Sequence, residues 1–261
     1  MLVRRSQTAV VDFWDEILEI VATCIDKDKD WELRMDMLHL CEHFLKTENL
    51  HSTIVFYSEI IVKMVLVPCV KWSPGIPSNS IRKAAVVTTM TLLTHNLIEP
   101  QKLYQNFHDL FTPLKGCLDD DWNNELRFAS VLLVKKIMTY LQKEQDYDHE
   151  VLKELYEQLL KRLDDAQDFI RIETAKAFEV FFDMLPVGWS NSLYDYTVKH
   201  IFIHLDDGND KIRDAIVSVL QKACRICPVT FMDIATDCQA RFTHRVLCKN
   251  LIDYCRQNHP Q

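Results

Sequence analysis

The chain has 261 residues, of which 48% are hydrophobic and 26% charged, proportions typical of ordinary globular proteins rather than disordered or membrane-embedded ones. Only 4 glycines accompany 5 tryptophans and 13 phenylalanines, so the left-handed turns on which β-hairpins depend are scarce and an all-helical fold is favoured. The formal net charge of −8 repels phosphate backbones and anionic lipid, which weighs against a nucleic-acid-binding or membrane-binding protein.

Three further features of the sequence indicate a cytoplasmic protein. No uninterrupted apolar run reaches the roughly 18 residues that a membrane span needs. The run 54–70 comes closest and is broken by Glu59, Lys63 and Pro68. The basic start, residues 1–5, leads into an acidic amphipathic stretch unlike a signal peptide. The nine cysteines, an odd number, suit reduced and buried thiols better than a disulfide framework.

A repeat runs through the chain. Three segments, which begin at Leu118, Leu163 and Leu205, each read Leu-Asp-Asp, then a polar turn, an aliphatic residue and an arginine. Two earlier segments fit more loosely. The five repeated arginines, at intervals of 48, 45, 44 and 42 residues, are Arg34, Arg82, Arg127, Arg171 and Arg213. Such intervals are close to the roughly 40–47 residues of two-helix solenoid repeats. A weaker sixth copy surrounds Arg245, as is usual for a terminal, capping repeat.

The repeat divides the chain into helix pairs. We expect these pairs at about residues 8–46, 50–96, 100–143, 148–185 and 190–226, with a capping pair to about 258. In the first pair a buried stripe is predicted by the helical spacing of Leu33, Met37, Leu40, Cys41 and Phe44. The expected N-caps of the second helices are Asp30, Ser78 or Asn79, Asn123 or Asn124, Asp168 and Asp210.

These segments resemble the HEAT family, whose turn aspartates and helix-B arginines form a polar ladder along the stack. The resemblance covers essentially the whole chain. It implies an all-α HEAT-type superhelix of five to six antiparallel helix pairs, a single domain over residues 1–261 that is part of a longer array. By position the ladder carboxylates are Asp120 or Asp121, Asp165 or Asp168, and Asp207 or Asp210, and we assign Asp121, Asp165 and Asp207. Their partners are Arg127, Arg171 and Arg213, with Arg34 and Arg82 in the earlier units. Because the turn before Arg82 has no Asp, the ladder is expected to be interrupted there.

Two motifs suggest chemistry but have simpler interpretations. His39, Glu42 and His43 match H-x-x-E-H, in which two histidines bind Zn²⁺ and the glutamate activates water. No third ligand is evident, and both histidines lie off the apolar stripe, so surface histidines are favoured. Cys224 and Cys227 form a C-x-x-C without the strand-to-helix context of a redox site or a second pair for zinc, which favours structural thiols. We therefore expect no catalytic residue, metal or cofactor.

Other features bear on binding. The acidic runs 26–30 and 119–121 lack the spacing of a calcium loop and are interpreted as inter-helix turns. Lys135, Lys136, Lys161 and Arg162 are the nearest candidates for a nucleic-acid surface, but acidic residues are interleaved with them.

Three tryptophans are candidates for partner binding. Trp31 and Trp122 lie just before the second helix of their repeats, where an exposed indole would anchor a partner and a buried one would staple adjacent repeats. Trp72 lies in an apparent insertion at residues 67–80, most simply a long surface connection.

An extended solenoid surface suits large protein clients, so an interaction scaffold is the leading functional prediction. Within the family, the motif order and the C-terminal segments 224–228 and 254–258 resemble the last repeats of HEAT-repeat factors that assemble axonemal dyneins for motile cilia. That resemblance implies a cytoplasmic factor working with axonemal dynein chains, chaperones or other assembly factors. The alternatives are another HEAT scaffold, of the nuclear transport or phosphatase type, and a zinc hydrolase.

Overall fold

The structure, a computed structural model, describes residues 10–73, 75–142, 149–189 and 192–259, except for the side chains of residues 76, 149, 150 and 152. The basic start at 1–5, Pro74 and the predicted helix-pair limits at 8, 143, 148 and 190 lie outside the described residues.

Within this part of the chain, helices follow one another and no strand occurs. The α-helices are α1 (Trp14–Cys24), α2 (Trp31–Leu45), α3 (His51–Ile61), α4 (Val67–Val70), α5 (Ile76–Thr94), α6 (Pro100–Gln105), α7 (Phe107–Leu118), α8 (Asn124–Leu141), α9 (His149–Leu163), α10 (Asp168–Met184), α11 (Ser192–Ile203), α12 (Asp210–Cys224), α13 (Pro228–Arg241) and α14 (Arg245–Asn258). A π-helical turn, Val62–Leu66, joins α3 to α4. The prediction of an all-α fold is confirmed.

The helices form six consecutive pairs: α1/α2, α3–α4/α5, α6–α7/α8, α9/α10, α11/α12 and α13/α14. Short turns join the two helices of each pair, so the partners run antiparallel. We call the first member of a pair helix A, the second helix B and the link between them the A–B turn. The weak sixth copy around Arg245 is a real pair, because Arg245 begins α14.

The chain divides into two compact units, Met1–Gln145 and Asp146–Gln261. In the first unit the B helices α2, α5 and α8 pack side by side, and α4 packs against α7. In the second unit α10 packs against α12 and α12 against α14, while the A helices α9, α11 and α13 also pack in sequence. Each unit has its own apolar core: Leu38, Ile54, Val86, Phe111 and Leu133 are buried in the first, and Phe178, Phe182, Val198, Phe202 and Phe231 in the second.

The positions at which the helices begin confirm two of the predicted N-caps and contradict the others. Asp30 caps α2 by accepting from the N–H groups of Glu32 and Leu33, and Asn123 caps α8 in the same way, as predicted. The predicted caps at Ser78 or Asn79, Asp168 and Asp210 are wrong, because those residues lie inside their helices. Helix α5 starts earlier because Gly75 takes a φ of 107°, which a side chain disfavours, and Pro77 suits the first helical turn.

Two other expectations need correction. Residues 67–80 are mostly helical, because buried Val67 and Val70 continue the previous helix and α5 begins at Ile76, so the connection is short. Cys41 and Phe44 of the predicted stripe on α2 are buried, but Leu33 is exposed and Leu38, outside the predicted stripe, is fully buried.

Among the described residues, one helical stretch, Glu48–Val70, is long and apolar enough to cross a membrane by length and composition. Half of its most apolar window is buried inside the protein.

Candidate functional site

The A–B turns carry the repeated arginines and aspartates. Arg82, at the start of α5, is fully buried and reaches forward to the next repeat, where it binds the Asp120 carboxylate and the carbonyl of Gly116. Asp120 also accepts from the N–H groups of Trp122 and Asn123 within its own turn. The Asp120 carboxylate therefore stabilises its own turn and links that turn to the preceding B helix.

The second unit repeats this arrangement. Arg171 at the start of α10 binds the carboxylate of Asp207, in the A–B turn between α11 and α12. Burial alone would raise the pKa of Asp207, but the N–H of Asn209 and the Arg171 guanidinium together lower it below its ordinary value. The ion pair and its hydrogen bonds therefore favour the charged carboxylate.

The arginines also fasten their own turns. Each of the following pairs joins a guanidinium to a carbonyl oxygen in the preceding turn or at the end of the preceding helix: Arg34 to Ile25, Arg127 to Asp120, Arg171 to Leu163 and Arg213 to Asp207. A guanidinium has five donors and can serve both partners at once. Carbonyl groups that the helices leave unpaired are thereby satisfied.

The structure assigns the carboxylates differently from the sequence at two positions. Asp120, not the exposed Asp121, meets an arginine, because the second Asp of each Leu-Asp-Asp is the equivalent residue. An interruption at Arg82 was wrongly expected: the arginine takes its carboxylate from the following turn, so the missing Asp in its own turn does not matter.

Asp165 and Arg34 make the following contacts. Asp165 is buried and accepts from Arg162 and from the N–H of Gln167. Arg34 contacts Cys69 of the next repeat, where no aspartate is present.

At the last repeat, Asp206 accepts from the N–H groups of Thr243 and His244. This carboxylate joins two successive turns without an arginine, a contact that the sequence pattern did not indicate.

The three candidate tryptophans all lie at A–B turns of the first unit. Trp31 begins α2, Trp72 precedes α5 and Trp122 precedes α8, and their exposed fractions are 45%, 70% and 92%. At such exposure Trp122 does not staple adjacent repeats. The three indoles therefore present a row of exposed anchors along one edge of successive repeats, which we call the tryptophan edge.

The H-x-x-E-H residues all lie on α2. His39 is exposed, and Glu42 pairs with Lys46 at 2.6 Å in the next turn of α2. In the part of the chain that the structure describes, no group of three or more His, Cys, Asp or Glu side chains is placed to hold a metal ion.

The nine cysteines are free thiols, and all except Cys24 and Cys227 are buried. Cys224 ends α12, whereas Cys227 precedes α13 and its sulfur lies 3.2 Å from the Thr230 hydroxyl. Cys224 instead forms a side-chain hydrogen bond with Cys255 of α14, and burial raises its pKa to about 12. A thiol so rarely ionised is a poor nucleophile.

The candidate basic residues are divided between helices of different units. Lys135 and Lys136 lie on α8, and Lys161 and Arg162 lie on α9, where Arg162 pairs with Asp165 at 3.0 Å.

Comparison with solved structures identifies the class of protein. The chain is similar to a designed armadillo repeat protein in complex with a (KR)4 peptide, with a TM-score of 0.57 at 14% identity, covering 92% of this chain and 98% of that one. It is equally similar to computationally designed armadillo repeat proteins for modular peptide recognition, with a TM-score of 0.57 at 15% identity over 92% and 98% of the two chains. The fold is that of an armadillo- or HEAT-type helical repeat protein. No protein-family model matches the sequence.

The sequence is similar to dynein axonemal assembly factor 5. It is 24% identical to the Homo sapiens protein over 267 aligned residues, which cover 98% of this chain and 30% of that protein. It is 22% identical to the Xenopus laevis protein over 246 residues, which cover 91% of this chain and 29% of the relative. The chain therefore spans about 30% of the length of the curated relatives it matches.

Proposed function

We propose that this chain is a non-catalytic interaction scaffold that acts in the cytoplasm during preassembly of axonemal dynein arms. The observation that carries the proposal is the similarity to dynein axonemal assembly factor 5, which extends over 98% of the chain. The helical repeat fold supports the same function, because such folds offer extended surfaces to protein clients. The partners we propose are axonemal dynein chains, together with chaperones or other assembly factors.

The turn ladder and the tryptophan edge indicate how a scaffold would work. Arg82 and Asp120 are buried and fix the turn that carries Trp122, so this indole is held out to solvent on a rigid base. Exposed tryptophans on rigid elements commonly dominate binding energy. We infer that Trp31, Trp72 and Trp122 contact the client.

Affinity capture from multiciliated cells tests the proposal. The chain should recover axonemal dynein chains and chaperones, and the W31A/W72A/W122A variant should recover several-fold less of both. The matched control is F169A/V187A/V229A, which removes three exposed apolar side chains from the second unit. Recovery of nuclear transport or phosphatase subunits without dynein chains would instead favour another HEAT scaffold.

A further inference from the structure

A groove of about 720 Å³ lies between helix α1 and the helical stretch that continues from α3 through the π turn. Its lining includes Asp15, Glu19, Asp28, Ile60 and Met64. All of them belong to the first compact unit, and none lies on a B helix. The groove thus lies on the A-helix side of the unit and reaches the A–B turn between α1 and α2 at Asp26, Asp28 and Lys29.

One wall of the groove is apolar and open to solvent. Ile60 and Met64 are 47% and 54% exposed although both side chains line the groove. Phe56, one helical turn earlier, is 76% exposed. A row of large apolar side chains at four-residue intervals on the outside of a soluble protein marks an interaction surface rather than scattered surface residues.

The opposite wall is acidic. Asp15, Glu19, Asp26 and Asp28 line the groove, and Lys29 is its single basic lining residue. Lys63, on the apolar helix, forms an ion pair with Glu59 at 2.7 Å. Low-dielectric walls strengthen the field of these carboxylates inside the groove.

The two walls are held in place by core contacts. Trp14 of α1 packs against Phe44 at a ring distance of 5.1 Å and against Tyr57 at 6.5 Å. A hydrogen bond to Asp15 raises the pKa of the Tyr57 hydroxyl and joins α1 to α3. The groove is therefore preformed, and a ligand would not have to order it.

The groove continues toward Trp72. A second cavity of about 440 Å³ shares Ala22, Asp26 and Met64 with the first and extends to Lys71 and Trp72. Its lining includes three lysines, Lys27, Lys63 and Lys71, beside a single carboxylate, Asp26, so the acidic residues are concentrated in the half between α1 and α3.

We propose that this groove binds an amphipathic helix of a partner protein. The helix would lay an apolar stripe on Ile60 and Met64 and direct lysines or arginines toward Glu19 and Asp28, the helix-in-groove mode of recognition. The acidic wall disfavours anionic lipid and nucleic acid. The proposal goes beyond the proposed function, because it concerns the A-helix side of the unit and holds for any partner of this chemistry.

Fluorescence anisotropy with two 18-residue peptides tests the inference. One peptide has leucines at intervals of three and four residues flanked by lysines, and the other replaces every lysine with glutamate. The full chain should bind the lysine peptide, and I60E/M64E should weaken binding at least about tenfold, or about 1.4 kcal/mol. E19K/D28K should weaken the lysine peptide and strengthen the glutamate peptide. The control D214K/D233K changes the net charge equally at exposed sites on α12 and α13 and should have little effect.

Several results would overturn the inference. These are no binding of the lysine peptide, equal binding of both peptides, or equal weakening by E19K/D28K and its charge-matched control. A dimer of the free chain that I60E/M64E dissociates in sedimentation would show that the groove binds a second copy instead. Thermal unfolding of each variant separates lost binding from lost folding, and E19K/D28K keeps the test valid if I60E/M64E does not fold.

Discussion

Arg171, at the first turn of α10, binds the Asp207 carboxylate in the A–B turn of the following repeat, 36 residues later in the sequence. The same guanidinium donates to the carbonyl of Leu163, the last residue of the preceding helix α9. One side chain thus fixes the spacing between two successive turns. In the first unit Arg82 likewise reaches forward to the next repeat, where it binds Asp120.

The lowered pKa of Asp207 gives stability a pH dependence. A carboxyl whose folded pKa lies below its ordinary value of 3.8 stabilises the fold above that value and loses this contribution as pH falls through the lowered folded pKa. We expect Asp207→Asn to reduce the free energy of unfolding at neutral pH by on the order of 1 kcal/mol. Below about pH 4 the difference from the wild type should shrink.

Urea unfolding at several pH values measures this effect. Asp214→Asn, at an exposed position on α12, is the control. A difference between wild type and Asp207→Asn that stays constant from pH 7 to about pH 2.5 would show that charge at Asp207 is not the cause.

The buried pair in the first unit should be more sensitive to the loss of one partner. The side chains of Arg82 and Asp120 are 1% and 8% exposed. Arg82→Met leaves the carboxylate buried without its cation, which costs about 3–5 kcal/mol. The double variant Arg82→Met with Asp120→Asn should recover part of that loss.

A double-mutant cycle by urea unfolding measures the coupling of this pair. Additive effects of the two substitutions would mean that the contact contributes no coupling energy.

Much of the fold could be predicted because its signals are local. Helical periodicity and the spacing of five arginines indicated the order of the helix pairs, and even the degenerate copy at Arg245. The ladder could not be assigned in the same way, since Arg82 binds an aspartate 38 residues away in the next turn. The sequence pattern places each arginine beside the aspartate of its own turn. It therefore does not show that the carboxylate partner of Arg82 lies in the turn of the following repeat.

Other features depend on burial rather than on pattern. Residues 67–80 contain prolines and Trp72 and looked like a loop, but Val67 and Val70 extend a helix because they are buried. The groove beside α1 requires Ile60 and Met64 to be exposed within an apolar run, whereas apolar periodicity alone predicts burial.

We expect the exposed tryptophans to contribute little to stability, in contrast to the buried Trp14. Replacing Trp122 or Trp72 with alanine should change the free energy of unfolding by less than about 0.5 kcal/mol, because exposed side chains have few contacts to lose. Trp14→Ala should cost about 3–5 kcal/mol, since its side chain is only 2% exposed. Chemical unfolding measures both quantities, and a loss above about 1 kcal/mol in Trp122→Ala would indicate a structural role.

The thiols should fall into two reactivity classes. Seven of the nine cysteines are buried, whereas Cys24 and Cys227 are partly accessible. Burial raises the pKa of Cys41 to about 12 and that of Cys117 to about 11, so neither forms appreciable thiolate near neutral pH. We expect two thiols to react quickly with an aromatic disulfide reagent in the native protein and all nine in denaturant. Rapid reaction of Cys41 or Cys117 in the native state, mapped by mass spectrometry, would contradict the packing.

The central claim is that the protein supports assembly of axonemal dyneins. Its most direct test is depletion of the full-length protein in multiciliated cells, followed by electron microscopy of axoneme cross-sections and rescue with wild-type protein or the W31A/W72A/W122A variant. We expect dynein arms to be lost on depletion, restored by the wild type and restored poorly by the variant. Axonemes with a full set of arms after complete depletion would contradict the claim.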